Sequence, residues 1–180
     1  MQEKENTVTL VLGGVRSGKS RYAQALASRA KRVTFVATAQ ASDSEMQQKI
    51  ARHQTERPSH WRTVEEPLAL DRAIAASAEQ ADLVLVDCLT IHAAHLLDAG
   101  SDVAGCATER LLGLLKYPPL EVILVSNEVG SGVVPPYPAG REYRDLLGEI
   151  NQRVAAVAKN VILMVAGLPL VLKGKSEIQQ

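Results

Sequence analysis

One short segment limits the fold of this chain more than any other. It reads Gly13-Gly14-Val15-Arg16-Ser17-Gly18-Lys19-Ser20 and fits the pattern G-x-x-x-x-G-K-[ST]. The segment follows an apolar run and precedes a helix-like stretch, and in this strand–loop–helix setting the pattern binds phosphate groups. The glycines let backbone N–H groups turn toward phosphate oxygens, and the helix N-terminus adds a positive dipole. We therefore predict that this loop holds the phosphates of ATP or GTP.

Three side chains are predicted to act directly on the phosphates and their metal ion. Lys19 should reach the β- and γ-phosphates, and the hydroxyl of Ser20 should ligate Mg²⁺. Asp87 closes the apolar run Leu-Val-Leu-Val-Asp and is the natural second Mg²⁺ ligand. A carboxylate at the end of a strand is common, so Asp87 is a metal-ligand candidate only in combination with the loop.

The apolar runs predict an α/β fold. Five runs are almost continuously apolar, at residues 7–12, 32–37, 83–87, 121–126 and 161–166. Such runs are typical of parallel strands that are covered on both faces. Helices are predicted at residues 20–30, 43–54, 68–79, 108–116 and 141–158. A last run, at residues 168–172, contains Pro169 and suits an edge strand. The sequence therefore predicts one catalytic domain, residues 1–180, with a P-loop NTPase-like sheet and helices on both faces.

Charge and composition exclude several classes of protein. The chain has 20 basic and 20 acidic side chains and a formal net charge of zero. It contains no block of like charge, which argues against nucleic-acid binding and against a membrane surface. No run is long enough to cross a membrane, and the polar N-terminus does not read as a signal peptide. Cys88 and Cys106 are predicted to be reduced core thiols, so we expect a cytoplasmic protein.

The stretch from residue 43 to residue 66 contains two histidines, His53 and His60. Met46, Ile50 and His53 would share one face of a helix. On spacing alone, a histidine in such a stripe is more often packed for structure than used for chemistry. His60, beside a tryptophan, reads equally well as a surface residue. Nearby positive charge suits a polyphosphate, and it comes from Arg52, Arg57 and Arg62.

The loop alone does not separate an enzyme from a switch. A GTPase switch carries an Asn-Lys-x-Asp motif for guanine, and the sequence has none. The segment Asn127-Glu128-Val129-Gly130 follows a predicted strand in a similar place, without the lysine and the aspartate. From these residues alone, a small-molecule kinase and a nucleotide-dependent switch both stay open.

Several further segments are specific enough to indicate a family. They include Trp61-Arg62-Thr63, Asp87-Cys88-Leu89-Thr90, Asn127-Glu128-Val129-Gly130 and Tyr143-Arg144-Asp145. Together with the loop, in this order and over nearly the whole chain, they resemble the bifunctional adenosylcobinamide kinase/adenosylcobinamide-phosphate guanylyltransferase family of cobalamin biosynthesis. The chain departs from the family pattern at residues 91–97, which contain His92 and His95, and at Tyr137.

The resemblance implies a function and a set of site residues. Family members phosphorylate adenosylcobinamide with ATP or GTP, then transfer GMP from GTP to that phosphate and release pyrophosphate. The resemblance assigns the covalent GMP adduct to His53. Besides residues 13–20, it assigns nucleotide contacts to Ala37, Thr38, Ala39, Gln54, Thr55, Glu56, Arg57, Glu65 and Asp87. It further implies one antiparallel strand in the sheet and assembly as a homotrimer.

Overall fold

A computed structural model describes residues 6–40 and 57–175 of the chain. Its strands are β1 Val8–Gly13, β2 Val33–Ala37, β3 Arg62–Glu65, β4 Leu83–Asp87, β5 Glu121–Asn127, β6 Asn160–Val165 and β7 Leu168–Lys173. They form one sheet in the order β3-β2-β4-β5-β1-β6-β7. Every neighbouring pair is parallel except β6 and β7, which are antiparallel. The mainly parallel sheet with an antiparallel edge strand is therefore confirmed.

Helices cover both faces of the sheet. They are α1 Lys19–Ala27, α2 Leu70–Ser77, α3 Leu89–Ala99, α4 Ser101–Lys116 and α5 Pro138–Val157. On one face, α1 buries Tyr22 and Ala23 against strand residues such as Val11. On the other face, residues such as Leu111 and Leu147 of α4 and α5 form a larger core with alternate strand positions. Burial on both faces explains why the strands read as continuous apolar runs.

Two elements were absent from the sequence prediction. β3 reads Arg-Thr-Val-Glu and is mostly exposed at the sheet edge, so it has no apolar run to reveal it. α3 is the other, and α4 begins at Ser101 rather than at residue 108. Gly100, with φ of 96°, separates these two helices in a conformation that favours glycine. The predicted helix at residues 43–54 lies outside the described residues.

The register of the strands brings their carboxyl ends together at one edge of the sheet. Ala37 at the end of β2 is in register with Glu65 of β3 and with Asp87 of β4. Gly13 at the end of β1 is in register with Asn127 at the end of β5. Ligands of open parallel sheets bind at this edge. The fold therefore brings together several residues of the predicted nucleotide site that are far apart in the sequence.

Candidate active site

The loop between β1 and α1 has the backbone of a phosphate cradle. Gly18 precedes α1 with φ of 93°, in the left-handed region, and no side chain caps the start of this helix. The first N–H groups of α1 are therefore available to an anion. At Gly13, a Cβ would lie 2.8 Å from the backbone oxygen of Met164, so a larger residue does not fit without moving the backbone.

Lys19 lies over this loop, where its Nζ donates a hydrogen bond to the Gly14 carbonyl at 3.1 Å. Burial lowers the pKa of Lys19, while the negative charge of Asp87 acts in the opposite direction. The Asp87 carboxylate is therefore close enough to act electrostatically on the lysine of the loop. The roles of Lys19 in phosphate binding and of Asp87 in metal binding stay predictions.

Thr38 holds the end of β4 in place. Its side chain is fully buried, and its Oγ1 donates to the Cys88 carbonyl and accepts from the Cys88 N–H, both at 2.9 Å. The N–H of Thr38 also donates to the carbonyl of Asp87 at 3.3 Å. These bonds join the chain after β2 to the chain after β4. The described contacts of Thr38 therefore position Asp87.

Arg57 supplies a second cation on the same side of the sheet. Its guanidinium carbon lies 3.6 Å from the centre of the Phe35 ring in β2. Burial lowers the pKa of Arg57, and the charge of Asp87 opposes that shift. The Nε and Nη1 atoms are buried and have no hydrogen-bond partner within the described residues. A buried guanidinium with unpaired donors suits a phosphate or another anion.

The described part of the predicted site is thus assembled at one edge. Ser20 is in the first turn of α1, Ala37 ends β2, Ala39 follows it, and Glu65 is exposed at the end of β3. Four predicted residues lie outside the described residues: His53, Gln54, Thr55 and Glu56.

A polar network behind the loop had no role in the sequence prediction. The N–H of Asn127 donates to Thr90 Oγ1 at 2.9 Å, and Tyr143 Oη donates to the Thr90 carbonyl at 3.1 Å. Asn151 Nδ2 donates to the Asn127 carbonyl at 3.0 Å. Burial raises the pKa of Tyr143 to about 12, so its hydroxyl stays a donor at neutral pH. The network ties α3 and α5 to the end of β5, and three of its residues, Thr90, Asn127 and Tyr143, lie in the segments that indicate the family.

The structure also gives the positions of Cys106 and His92, two further residues that the sequence analysis named. Cys106 is exposed on α4, so its prediction as a core thiol was wrong; only Cys88 is partly buried. His92 is a residue of α3 and is 1% exposed, with its Nδ1 2.8 Å from the Pro67 carbonyl oxygen. Across residues 6–40 and 57–175, no group of three or more His, Cys, Asp or Glu side chains is arranged to hold a metal ion. In the same residues, no helix is long and apolar enough to cross a membrane.

Comparison with known proteins gives consistent matches over most of the chain. The family described as CobU, cobinamide kinase / cobinamide phosphate guanyltransferase, matches residues 9–172. The bifunctional adenosylcobalamin biosynthesis protein CobP of Pseudomonas aeruginosa is 47% identical over 169 residues, which cover 92% of this chain and 97% of that protein. The bifunctional adenosylcobalamin biosynthesis protein CobU of Salmonella typhimurium is 41% identical over 180 residues, with 91% and 98% covered. The CobU protein of Escherichia coli is 39% identical, with 91% and 98% covered.

Solved structures with a similar fold have little sequence identity to this chain. An ATPase from the type III secretion system of pathogenic bacteria superposes with a TM-score of 0.58 at 14% identity, covering 92% of this chain and 56% of that one. A Pyrococcus horikoshii OT3 protein superposes with a TM-score of 0.56 at 9% identity, covering 97% and 90%. These likenesses bear on the fold alone, and they agree with the predicted P-loop NTPase-like sheet.

Proposed function

The chain belongs to the cobinamide kinase / cobinamide phosphate guanyltransferase family, and from this premise we propose that it catalyses two consecutive transfers at the edge of the sheet. In the first, the aminopropanol hydroxyl of adenosylcobinamide attacks the γ-phosphorus of ATP or GTP. The bond from that phosphorus to the bridging oxygen breaks, the nucleoside diphosphate leaves, and the hydroxyl proton is released. In the second, GMP passes from GTP to the new phosphate.

The second transfer is proposed to run through His53. A neutral histidine nitrogen attacks the α-phosphorus, the bond to the β-bridging oxygen breaks, and pyrophosphate leaves with a phosphoramidate remaining on the histidine. A phosphate oxygen of adenosylcobinamide phosphate then attacks the same phosphorus and breaks the P–N bond. The products are adenosylcobinamide-GDP and free histidine. His53 lies outside the described residues, and it precedes Arg57 by only four positions in the sequence.

One observation supports this function most: two cations, Lys19 of the loop and Arg57, both lie within electrostatic range of Asp87. Lys19 and Arg57 are both half-buried cations whose pKa responds to the charge of Asp87. Cations fixed in a partly desolvated site stabilise the charge that develops on phosphate oxygens during transfer. Gly13, Gly14 and Gly18 would let the backbone contact the phosphates, and Ala37, Thr38, Ala39 and Glu65 border the same edge.

The residues fit a bound Mg²⁺ ion. Ser20 and Asp87 offer the hydroxyl and carboxylate oxygens that Mg²⁺ prefers, and this ion usually takes one or two such ligands together with substrate phosphates. The lack of a dense ligand cluster in the described residues is compatible with such a site. When bound, Mg²⁺ would neutralise charge on the departing pyrophosphate or diphosphate. The assignment of Ser20 and Asp87 as its ligands is part of the proposal.

The remaining expectations from the sequence are kept as proposals. We propose one catalytic domain over residues 1–180, a cytoplasmic location and a homotrimer. Leu168 and Leu170 of β7 are 59% and 54% exposed, which supports contact with another subunit at this edge. Light scattering at several protein concentrations tests the homotrimer directly.

The sharpest test of the proposed function uses GTP labelled at the α-phosphorus. The wild-type protein should retain label that acid removes and mild alkali does not, as expected of a phosphoramidate. His53→Ala should lose the label and the transferase activity but keep kinase activity, because attack on the γ-phosphorus needs no histidine nucleophile. His60→Ala is the matched control, since His60 is exposed in the same part of the sequence.

Each other outcome has a distinct meaning. Label that persists in His53→Ala and disappears in His60→Ala would move the nucleophile to His60 and leave the family reading intact. A wild-type protein that phosphorylates cobinamide but never retains α-label would be a kinase without this covalent step. GTP binding without any turnover stimulated by cobinamide would favour a nucleotide-dependent switch instead.

A further inference from the structure

A groove opens on the opposite face of the sheet from α1, between α5 and the β6–β7 edge. We name it the α5 groove, and its volume is about 650 Å³. Apolar side chains line much of it, from Leu12, Ala155, Val161 and Leu172. Binding sites for organic ligands are usually concave and mostly apolar, with a few polar groups that fix orientation.

One polar side chain in the α5 groove has unused hydrogen-bonding capacity. Asn151 lines the groove and is 6% exposed. Its Nδ2 donates to the Asn127 carbonyl, whereas its Oδ1 is buried and has no hydrogen-bond partner within residues 6–40 and 57–175. A buried amide oxygen without a partner is unfavourable in the folded protein. The unpaired Oδ1 of Asn151 therefore suits a ligand that supplies an N–H or O–H donor.

The charges on the rim argue against a phosphate as that ligand. Arg144 already pairs with the neighbouring Asp145 at 3.3 Å. Lys173 Nζ donates to the carbonyls of Ala155 and Ala156, at 3.1 Å and 2.9 Å. Both basic side chains that line the groove thus have partners, and carboxylates line it as well. A neutral ligand with apolar surface and hydrogen-bond donors fits this lining better than an anion.

One end of the α5 groove reaches the phosphate loop. Glu128 and Gly130 line the groove, and the N–H of Glu128 donates to the carbonyl of Gly13 at 3.2 Å. Leu12, which also lines it, is the residue before the first glycine of the loop. A ligand that occupied the groove would therefore have one end beside the residues that hold the triphosphate.

We propose that the α5 groove binds the edge of the corrin ring of cobinamide, and that a peripheral carboxamide of the ring donates a hydrogen bond to Asn151 Oδ1. The proposal rests on the function proposed above. A corrin edge carries methyl groups and neutral carboxamides, which match the apolar lining and the unpaired acceptor. The groove holds one edge of the macrocycle, while the side arm that carries the hydroxyl extends past Glu128 toward the loop.

The test fills the groove without touching the nucleotide site. Ala155→Met adds a flexible side chain that enters the groove from α5, and Ala156→Met is the matched control, because Ala156 is exposed and does not line the groove. We expect Ala155→Met to raise the KM for cobinamide about tenfold or more in the kinase reaction. The KM for GTP and the retention of α-label should stay within about twofold of wild type in both variants.

A second variant tests the hydrogen bond itself. Asn151→Ala should raise the KM for cobinamide about fivefold, the factor that corresponds to one hydrogen bond of ordinary strength. Its thermal stability and its KM for GTP, measured in the same preparation, separate loss of the corrinoid contact from general damage. A KM for cobinamide that rises only in step with the KM for GTP would count against the contact.

The proposal about the groove and the proposed function fail in different ways. If the wild-type protein shows no phosphorylation that depends on cobinamide, the proposed function is wrong. If the wild-type protein is active and folded Ala155→Met keeps the wild-type KM for cobinamide, the α5 groove is not the corrinoid site and the function stands. Equal increases in Ala155→Met and Ala156→Met would likewise overturn the assignment to the groove.

Discussion

The two faces of the sheet differ in how they are built near the phosphate loop. On the α1 side, the loop is one continuous segment, and the charge of Asp87, at the end of β4, acts on both Lys19 and Arg57. On the other side, the α5 groove combines Leu12, Asn151 and Leu172, which are far apart in the sequence. The first surface depends on local backbone geometry, and the second depends on how α5 packs against the sheet.

The two faces also differ in their electrostatics. On the α1 side, half-buried Lys19 and Arg57 face a shared carboxylate, and burial lowers the pKa of both cations. In the α5 groove, Arg144 and Lys173 already bond to neighbouring oxygens. Charge in a partly desolvated site acts strongly on a phosphate, whereas paired charges at a rim contribute little. We therefore expect the α1 side to govern phosphate chemistry and the groove to govern acceptor binding.

The largest expected effect comes from Lys19→Ala. Its Nζ is the cation that should reach the β- and γ-phosphates, so both transfers should fall by a factor on the order of 10³. Its Nζ donates an exposed hydrogen bond to the Gly14 carbonyl, and loss of this bond should leave the fold intact. Kinase and transferase rates, with circular dichroism and melting temperature, measure both points. Lys116→Ala, an exposed lysine at the end of α4, is the control.

The Lys19→Ala variant also tests whether the two faces of the sheet act separately. If the two surfaces act separately, the folded variant should still bind cobinamide with an affinity near that of wild type, as measured by equilibrium dialysis. A folded Lys19→Ala protein that retains full guanylyl transfer would remove the loop from the proposed mechanism. Loss of cobinamide binding together with catalysis would mean that the two surfaces are coupled.

A smaller effect is expected for Asp87→Asn, which removes a charge and keeps the size of the side chain. Loss of one proposed Mg²⁺ ligand should lower both rates by about 100-fold and raise the Mg²⁺ concentration needed for half-maximal rate. Rates over a Mg²⁺ titration measure the change. Asp82→Asn is a matched control next to the other end of β4, where Asp82 makes an exposed ion pair with Arg32 at 2.7 Å.

The comparison of Asp87→Asn with the control Asp82→Asn shows which role the Asp87 carboxylate has. Exposed ion pairs contribute little to stability, so Asp82→Asn should behave like wild type. If Asp87→Asn has a lower rate but the same Mg²⁺ requirement, the carboxylate acts through Lys19 and Arg57 and not through the metal. If its rates equal those of wild type, Asp87 has no part in the chemistry.

The sequence predicted the α1 side of the molecule well because its signals are local. The glycine pattern at residues 13–20 and the apolar run ending at Asp87 each identify a strand end and its neighbours, and the structure has these strands, ending at Gly13 and Asp87. The resemblance to the family is confirmed by the match over residues 9–172. The positions of His53 and its neighbours stay a prediction.

The other side could not be read from the sequence, for physical reasons. The α5 groove exists because β7 turns back beside β6 while α5 covers β1, and no short pattern records that arrangement. The unpaired oxygen of Asn151 becomes visible only after its amide nitrogen is seen to bond the end of β5. β3 was missed because an exposed edge strand needs no apolar run, and Cys106 was misplaced because residue type does not tell which face of α4 it occupies.

The smallest expected effect is on the stability of the protein. It concerns a buried histidine among the helices α2 to α5, on the face of the sheet opposite α1. Buried His92 has a pKa below its ordinary value of 6.5, mainly because burial disfavours the charged ring. Its Nδ1 faces the Pro67 carbonyl, and His95, Glu66 and Asp71 are the titratable groups around it. The carbonyl and the two carboxylates favour the charged ring, but burial outweighs them.

The sign of the pH dependence follows from proton counting. Between the folded-state pKa of His92 and about 6.5, the unfolded chain binds more protons than the folded protein, so this histidine makes stability rise with pH over that window. Its contribution is fully present above pH 6.5 and is lost as the pH falls toward the lower folded-state pKa.

His92→Asn keeps an N–H donor for the Pro67 carbonyl and removes the titration. Urea unfolding between about pH 8 and about pH 5.5 should therefore show a shallower loss of stability on acidification in this variant than in wild type. Equal slopes in wild type and His92→Asn would show that the acid sensitivity arises elsewhere in the chain.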